Sequence, residues 1–338
     1  MDTLTHIVAG AVIGELILGK KVGKKAMVFG ALAGNAPDVD ALMNFFVSDV
    51  DSLVLHRGLT HSVFVAALFG PLFGWLLNRH YRHNLIWGWM ALFTLNIWFH
   101  LFLDTCTMYG TGLLMPFSDE RFAFNNIFVA DPLYTIPLIL SVIMLLMTKS
   151  GSQNRIKWSS GGMVVSSIYM FTTFYHHAHA EKTLRSSMVA QNIVSDQFIV
   201  APTLFNTMLW NVTAATDSGF WTGYVSVFDT TPTTDLYFIR KNLPLEQRFA
   251  DDPTVQKLNA FSKGFGIINQ VGSKCTFHDL RFGQVQGWSD PSSTFCFSFD
   301  LSPAADNSMV VQQGRILGLQ PEVMQSMWDR IVKGPVNH

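Results

Sequence analysis

Four short segments of this 338-residue chain carry the residue types that bind divalent metals. His100 and Asp104 are four residues apart, so in a helix they lie on one face and can bind the same ion. Mixed imidazole and carboxylate ligands favour zinc, with manganese or iron as alternatives, over a dedicated calcium site. The candidate ligands are numerous enough for one or two ions. They are His6, Asp38, Asp40, His56, His61, His100 and Asp104.

Three residues near these ligands are candidates for catalysis. Asp40 and Asp131 are the candidate general bases, because a carboxylate that is not fully used as a ligand can accept a proton. Arg57 lies beside the ligands and is expected to stabilise negative charge on a phosphoryl or carbonyl oxygen. The sequence lacks His-Glu-x-x-His and Gly-x-Ser-x-Gly motifs, which disfavours zinc-peptidase and serine-hydrolase mechanisms. Metal-dependent hydrolysis of a phosphodiester or ester is therefore the leading hypothesis.

Plainer interpretations exist for each ligand taken alone. Asp38 or Asp40 can cap a helix, His6 and His56 can be interfacial side chains, and Asp104 can pair with a polar neighbour. Their joint occurrence favours a metal site, because unpaired ionisable groups within membrane spans are costly. A transporter or binding protein that carries metal or protons is the alternative function, since interrupted helices often form transport sites. A scaffold whose metal only stabilises the fold is a third interpretation.

The elements that must position these residues are membrane helices. Hydrophobic residues make up 49% of the chain and charged residues only 14%, whereas soluble domains contain about 25% charged residues. Four runs without formal charge have the length of about 20 residues that crosses a bilayer. We predict a polytopic α-helical membrane domain of about six spans over residues 1–179. The six lie at Leu4–Gly19, at Ala26–Val47, and between Arg57 and Arg79, Arg82 and Asp104, Asp131 and Lys149, and Lys157 and Glu181.

Basic residues lie in alternate predicted loops, which the positive-inside rule assigns to the cytoplasm. The N-terminus and everything after the sixth span are then extracytoplasmic, and all the candidate site residues lie towards the outer leaflet. Glu15 falls near the inner end of its helix and is expected to extend to the interface. The basic residues that fix this orientation are Lys20, Lys21, Lys24 and Lys25, then Arg79 and Arg82, then Lys149, Arg155 and Lys157.

From about residue 180 the composition becomes that of a soluble domain. Strand-like alternation at Trp221–Phe228 and Thr294–Phe299, with helices opening at Pro253 and Pro321, predicts a small extracytoplasmic α+β domain over residues 180–338. Cys275 and Cys296 can pair there, because that compartment tolerates disulfides. At the end of the sixth span, packing is favoured over metal binding for His176, His177 and His179.

Charge balance narrows the partners. The 23 lysines and arginines are matched by 24 acidic residues, so the basic surplus of a nucleic-acid-binding protein is missing. A site at the depth of the outer leaflet favours membrane lipids and a small or lipid-linked substrate. The sequence leaves any protein partner open.

Four motifs, in order, resemble the YdjM-like family, a group described as LexA-binding, inner-membrane-associated, metal-dependent hydrolases. The resemblance covers about residues 1–150, with a looser match from Pro202 to Asp229, and implies a multi-pass protein of the bacterial inner membrane with a metal-dependent hydrolase site. LexA binding is not carried over, since only short basic loops would face a cytoplasmic repressor. The motifs are Asp2-Thr3-Leu4-Thr5-His6, Asn35-Ala36-Pro37-Asp38-Val39-Asp40, His56-Arg57-Gly58-Leu59-Thr60-His61-Ser62 and His100-Leu101-Phe102-Leu103-Asp104, followed by Met115-Pro116-Phe117-Ser118 and Asp131-Pro132.

Overall fold

Polar breaks divide the first part of the chain into helices of very different length. The computed structural model describes residues 1–81, 84–302 and 317–334, so the predicted cytoplasmic residue Arg82 lies outside it. The chain forms two units, Met1–Thr172 and Thr173–His338. The helices that begin in the first unit are α1 (Thr3–Val22), α2 (Lys25–Gly34), α3 (Asp49–Leu55), α4 (Val63–Tyr81), α5 (Ile86–Thr105), α6 (Pro132–Met147) and α7 (Asn154–Ala190), with 3₁₀ helices η1 (Pro37–Phe45) and η2 (Leu59–His61).

The prediction of six membrane spans is not supported. Among the described residues, α1 and α5 are long and apolar enough to cross a membrane, and a third span is added if the bent pair of Asp49–His61 and Val63–Tyr81 counts as one. The other predicted spans do form helices. However, α2 and α6 have only 10 and 16 residues, and α7 is diluted by glycine, serine, threonine and histidine. Charge-free runs therefore overestimated the number of spans, because such runs are also typical of shorter or more polar helices.

Glycines bring α1 and α2 into direct backbone contact. A Cβ atom added at Gly10 would collide with the carbonyl of Gly30, and one added at Gly14 would collide with the carbonyl of Ala26. Gly34, the last residue of α2, lies against the backbone of His6 in the same way. Small residues at four-residue spacing allow this close approach between helices. The contact fixes the end of α2 beside the start of α1.

Glu15 is buried rather than extended to an interface, which corrects the sequence prediction. Its two carboxylate oxygens accept hydrogen bonds from Nε and Nη2 of Arg155 at 2.8 and 2.6 Å. Arg155 also donates to the carbonyls of Leu145 and Thr148 at the end of α6. The fully paired guanidinium explains why the carboxylate stays inside, since a buried charge is tolerated when it is paired and hydrogen-bonded. The pair connects α1 to α6 and α7.

Two antiparallel sheets form the framework of the second unit. One has the strand order β1-β2-β3-β4 and the other β5-β6-β7. Buried aromatic side chains from both sheets, including Trp210, Phe220 and Phe277, fill the cores between strands and helices. The elements are β1 (Phe198–Pro202), β2 (Leu209–Thr216), β3 (Gly219–Ser226), β4 (Tyr237–Arg240), α8 (Leu243–Arg248), α9 (Pro253–Phe261), β5 (Gly266–Val271), β6 (Lys274–Asp279), 3₁₀ helix η3 (Leu280–Phe282), β7 (Ser298–Asp300) and α10 (Pro321–Lys333).

The predicted α+β class of this unit is confirmed, with two differences in detail. The strand expected at Thr294–Phe299 is mostly irregular, because only Ser298–Asp300 pair as β7 while Phe295 makes an isolated bridge to Gln284. Cys275 and Cys296 are both buried and remain free thiols, so the disulfide considered from the sequence is not formed.

Candidate metal centre

Two short 3₁₀ helices and the C-terminal end of α5 bring predicted ligands together. Pro37 occupies the first turn of η1, where a missing backbone N–H costs nothing, and directs the chain away from α2. Asp38 and Asp40 follow in η1, and His61 ends η2. The last two turns of α5 contribute His100 and Asp104, one helical turn apart on the same face, as the spacing predicted.

Four ligand atoms converge in the buried half of the site, which we call the inner group: Asp38, His61, His100 and Asp104. Nε2 of His61 lies 3.0 Å from Nε2 of His100. Both nitrogens lie within 3.3–3.5 Å of Oδ1 of Asp38 and Oδ2 of Asp104. Ligands about 2.0–2.1 Å from a tetrahedral zinc ion are separated from one another by about 3.3 Å. The spacing of the inner group therefore fits a single tetrahedral ion.

Hydrogen bonds around the inner group leave lone pairs directed at its centre. Nδ1 of His100 lies 2.7 Å from the carbonyl oxygen of Gly34, so it donates there and Nε2 carries the free lone pair. Among the described residues, Oδ2 of Asp104 is buried and accepts no well-aligned hydrogen bond, although Nε of Arg57 lies 3.1 Å away. One proton between the two imidazoles would satisfy only that pair. A divalent cation would satisfy all four converging atoms, as buried polar groups require.

A second, more exposed set adjoins the inner group and shares Asp38 with it. This outer group consists of Asp38, Asp40 and His56. Nδ1 of His56 lies 2.9 Å from Oδ1 of Asp40. The side chain of His56 is 35% exposed and that of Asp38 12%, whereas those of His61 and His100 are inaccessible. The site therefore has a closed inner half and an outer half that water can reach.

Asp38 and Asp40 are held in the ionised form that metal ligation needs. Burial opposes ionisation of Asp40, but hydrogen bonds with His56 and His61 outweigh it and hold the pKa of this carboxyl below its ordinary value. The pKa of Asp38 is lowered in the same way, against burial, when His100 and His61 are protonated and donate to it, and a bound cation would take the place of those protons. Oδ2 of Asp40 also accepts from the hydroxyl of Thr60 at 2.7 Å.

Arg57 bridges the two groups from an unusual backbone conformation. Its φ angle of 62° places a non-glycine residue in the left-handed region. From there its backbone N–H donates to Oδ2 of Asp40 at 3.1 Å, while its guanidinium Nε lies 3.1 Å from Oδ2 of Asp104. Nη1 donates to the hydroxyl of Thr107, and the carbonyl oxygen of Arg57 accepts from the N–H of Gly112. Arg57 thus contacts one carboxylate of each group.

His6 lies beside the inner group without belonging to either group. Its ring stacks on that of His100 at a centroid distance of 3.7 Å, and its Nε2 lies 3.2 Å from Oδ1 of Asp104. The N-terminal amino group of Met1 contacts the same oxygen. Asp2 caps α1 by accepting from the backbone and hydroxyl of Thr5. His6 is therefore placed to orient two ligands, His100 and Asp104.

Asp131 is not brought into either ligand group. It caps α6, with Oδ1 accepting from the N–H groups of Leu133 and Tyr134 and Oδ2 from the hydroxyl of Tyr169 at 2.8 Å. Burial raises the pKa of the Asp131 carboxyl to about 6 against the effect of these hydrogen bonds. Its proposed role as general base stays a prediction.

Two of the histidines that end the predicted sixth span make contacts unrelated to metal binding. Nδ1 of His176 lies 2.9 Å from the carbonyl oxygen of Thr207. His177 packs edge-on against Trp210. Both contacts agree with the packing role expected from the sequence.

Sequence reasoning missed the partners that orient the ligands. Thr60 stands inside the His-Arg-Gly-x-Thr-His segment, but nothing in the motif shows that its hydroxyl donates to Asp40. Thr107 had no signal beyond its position three residues after Asp104. The carbonyl of Gly34 had none, since every residue has a carbonyl and only the tertiary structure selects this one.

Comparison with known proteins identifies the family of the chain. Residues 1–180, which contain every candidate ligand, match the model of the YdjM inner membrane protein family. The chain belongs to this family. The resemblance seen in the motifs is thereby confirmed, and with it the assignment to a family of inner membrane proteins.

Two relatives of this YdjM-family chain show how far the similarity extends. The uncharacterized protein YfhP of Bacillus subtilis (strain 168) is 26% identical over 251 residues, which are 68% of this chain and 71% of YfhP. The inner membrane protein YbcI of Escherichia coli (strain K12) is 36% identical over 122 residues, which are 35% of this chain and 69% of YbcI. No solved structure matches the chain.

Proposed function

We propose that this YdjM-family protein is a metal-dependent hydrolase whose site opens at the membrane–water interface and cleaves an ester or phosphodiester of a lipid or lipid-linked molecule. The observation that carries the proposal is the inner group, in which two imidazole nitrogens and two carboxylate oxygens converge at the spacing of a tetrahedral ion. Zinc is the favoured ion because such mixed ligands are typical of zinc sites, and the outer group has ligands for a second ion.

Water access supports catalysis over a purely structural role. A structural zinc site is closed, whereas a catalytic site keeps one position open. The four protein ligands of the inner group would fill a tetrahedral ion, so an open position would belong to an ion at the outer group, which borders solvent through His56 and Asp38. When bound, a divalent cation supplies a nucleophile by acidifying water and offsets negative charge on the substrate.

Protein side chains have definite tasks in this proposal. Asp40 lies half-buried beside the open side and would accept the proton that the attacking water loses through an oxygen that does not bind an ion. Arg57 keeps Asp104 in place and supplies positive charge next to the reacting group. His100 is held in the tautomer that leaves Nε2 free by the carbonyl of Gly34.

An apolar rim beside the outer group supports a substrate that comes from the membrane. A 3₁₀ helix has three residues per turn, so Val39, Leu42 and Phe45 line up along one side of η1. All three are exposed, Phe45 by 82%. Exposed apolar patches of this kind mark interaction sites. Since Asp38 and Asp40 belong to the same helix, a lipid tail on the rim would place its polar linkage near the ligands.

Elemental analysis of the detergent-purified protein tests the metal centre. We expect His56→Ala, which alters only the outer group, to keep the inner ion, while His61→Ala and Asp38→Ala lose it. His80→Gln, a change at an exposed histidine of α4, is the control and should match the wild type. Wild-type protein without near-stoichiometric metal after reconstitution would contradict the proposal.

Turnover is tested separately with phosphodiester and lipid-ester substrates in mixed micelles. We expect activity that falls at least about 100-fold in Asp40→Asn while the metal content stays at half or more of the wild-type level, because general-base catalysis contributes about 10²–10⁴-fold. Full metal loading with no hydrolysis of any lipid ester would instead favour a metal-carrying transporter, for which the break between α2 and η1 would be the transport site.

A further inference from the structure

A mostly apolar groove of about 640 Å³ runs between α6 and α7 in the first unit. Leu140 forms one side, and Trp158 and Val165 form the other. Asn154 and Lys157 lie at its α7 N-terminal end. Its volume is within the range of roughly 300–1,000 Å³ that small-molecule sites have. None of its lining residues belongs to the inner or outer group.

Two adjacent glycines with different surroundings shape the groove. Gly162 has a packing reason, because an added Cβ would collide with the hydroxyl of Ser141, which donates to the carbonyl of Trp158 across the helix interface. Gly161 has none among the described residues, since nothing lies within 4 Å of an added Cβ there. Glycine in a helix interior is unfavourable, and close approach of a ligand to the backbone is one reason for it. Gly161 thus leaves bare backbone as the floor of the groove.

Positive charge is concentrated at one end of the groove. The helices run antiparallel, with Ser166 of α7 bonded to Tyr134 near the start of α6 and Arg155 bonded to Leu145 near its end. Lys157 is exposed and has no ion-pair partner within the described ranges. Lys24 reaches the same end of α6, where its Nζ donates to the carbonyl of Leu146 at 2.6 Å. Glu15, the acidic residue here, is already neutralised by Arg155.

We propose that this groove binds one anionic phospholipid, with an acyl chain along the floor at Gly161 and the phosphate at Lys157. Basic pockets between helices of membrane proteins recognise anionic head groups in this way. Trp158 suits the boundary between the two parts, because the indole ring favours the interfacial depth of a bilayer. Apolar walls with a cation at one end match a phospholipid better than a free anion, because a free anion has no apolar part to contact the walls.

Native mass spectrometry of the full-length protein, titrated with phosphatidylglycerol or phosphatidylcholine after delipidation, tests this site. We expect one saturable lipid per chain and about a fivefold preference for phosphatidylglycerol, since one basic residue near a membrane surface contributes about 1 kcal/mol. Lys157→Gln should remove the preference and keep binding. Gly161→Leu should abolish saturable binding, because its side chain would occupy the floor.

Two further variants separate blocking of the groove from misfolding. Gly161→Ala adds only a methyl group in open space and should bind nearly as well as the wild type. Val164→Leu places the same side chain at an exposed position of α7 outside the groove, and should bind normally. Equal lipid retention by Gly161→Leu and Val164→Leu would show that only non-specific lipid is present and would overturn the proposal. So would tight binding of inorganic phosphate that survives in Gly161→Leu.

Discussion

At the scale of single residues, hydrogen-bond partners determine the protonation state of the candidate ligands. His100 is the clearest case, since the carbonyl of Gly34 determines which of its nitrogens faces the inner group. Asp40 is a second case, because hydrogen bonds from three neighbours keep it ionised despite burial. The clustering of candidate ligands was predictable from the sequence, because His-x3-Asp and Pro-Asp-x-Asp spacings restrict which atoms can meet. The orienting partners were not, because they depend on contacts between distant segments.

A histidine of the second unit should make stability depend on pH. Burial lowers the pKa of His278 to about 4, and its ring packs against Phe295 and hydrogen-bonds with Ser298. The folded state therefore favours the neutral ring, so its contribution is fully present above pH 6.5 and is lost as the pH falls towards 4. The difference corresponds to on the order of 3 kcal/mol.

Melting temperatures of the full-length protein at pH 7.5 and 4.5 test this dependence. We expect His278→Gln to lose less thermal stability on acidification than the wild type does. His80→Gln, altered at an exposed histidine, should follow the wild type. Identical losses in all three proteins would contradict the assignment.

At the scale of elements, the glycine contact between α1 and α2 should control the metal centre. Replacing Gly30 with Val would force its side chain against the carbonyl of Gly10, and such overpacking costs about 1–3 kcal/mol. Because α2 ends at Gly34, whose carbonyl orients His100, we expect Gly30→Val to lower metal content as well as melting temperature. Gly161→Ala, a glycine substitution in open space, is the matched control. Full metal occupancy in a destabilised Gly30→Val variant would show that the metal centre does not depend on the contact between α1 and α2.

The buried pair of Glu15 and Arg155 should contribute little net stability while making each partner dependent on the other. Removing one partner strands a charge, which costs about 3–5 kcal/mol, whereas replacing both with apolar residues can be neutral. We expect Glu15→Leu and Arg155→Met to melt well below the wild type, and the double variant to recover most of the loss. Additive losses in the double variant would contradict this coupling.

Helix positions were predicted well and membrane crossings were not. Apolar runs located α1 and α5, because charged and polar residues at the ends of these helices leave local signals. Similar charge-free runs form α6, which is too short to count as a membrane span, and α7, which is too polar to count as one. Lack of formal charge does not distinguish a helix that crosses lipid from one that packs beside such a helix. The burial of Glu15 was not predicted either, because its partner Arg155 is 140 residues away in the sequence.

At the scale of the whole molecule, the sequence prediction that basic loops are cytoplasmic places both the N-terminus and the second unit outside the cytoplasm, which requires an even number of membrane crossings. Protease treatment of intact spheroplasts carrying a C-terminally tagged protein tests this orientation. We expect loss of the tag in spheroplasts and protection in inside-out vesicles, because positively charged loops are retained in the cytoplasm. Protection in spheroplasts together with loss in inside-out vesicles would reverse the topology. A cytoplasmic marker protein serves as the control for lysis.

The change of composition near residue 180 predicted that the second part of the chain has an α+β fold, and the structure confirms this fold class. Strand register was not predictable, because pairing such as that of Trp210 with Val225 is set by the whole sheet. The free state of Cys275 and Cys296 could not be read from their number, since pairing depends on the distance between two folded segments.

The exposed apolar face of η1 affects whether binding depends on the concentration of a ligand in water or in the membrane. Val39, Leu42 and Phe45 belong to the same helix as Asp38 and Asp40, so under the proposed function a ligand that arrives over them would be drawn from the lipid phase. Occupancy would then follow the mole fraction of that ligand in the bilayer, not its molarity in water. Adding more vesicles of one composition would leave the rate per enzyme unchanged, whereas diluting the substrate with inert lipid at constant bulk concentration would slow it.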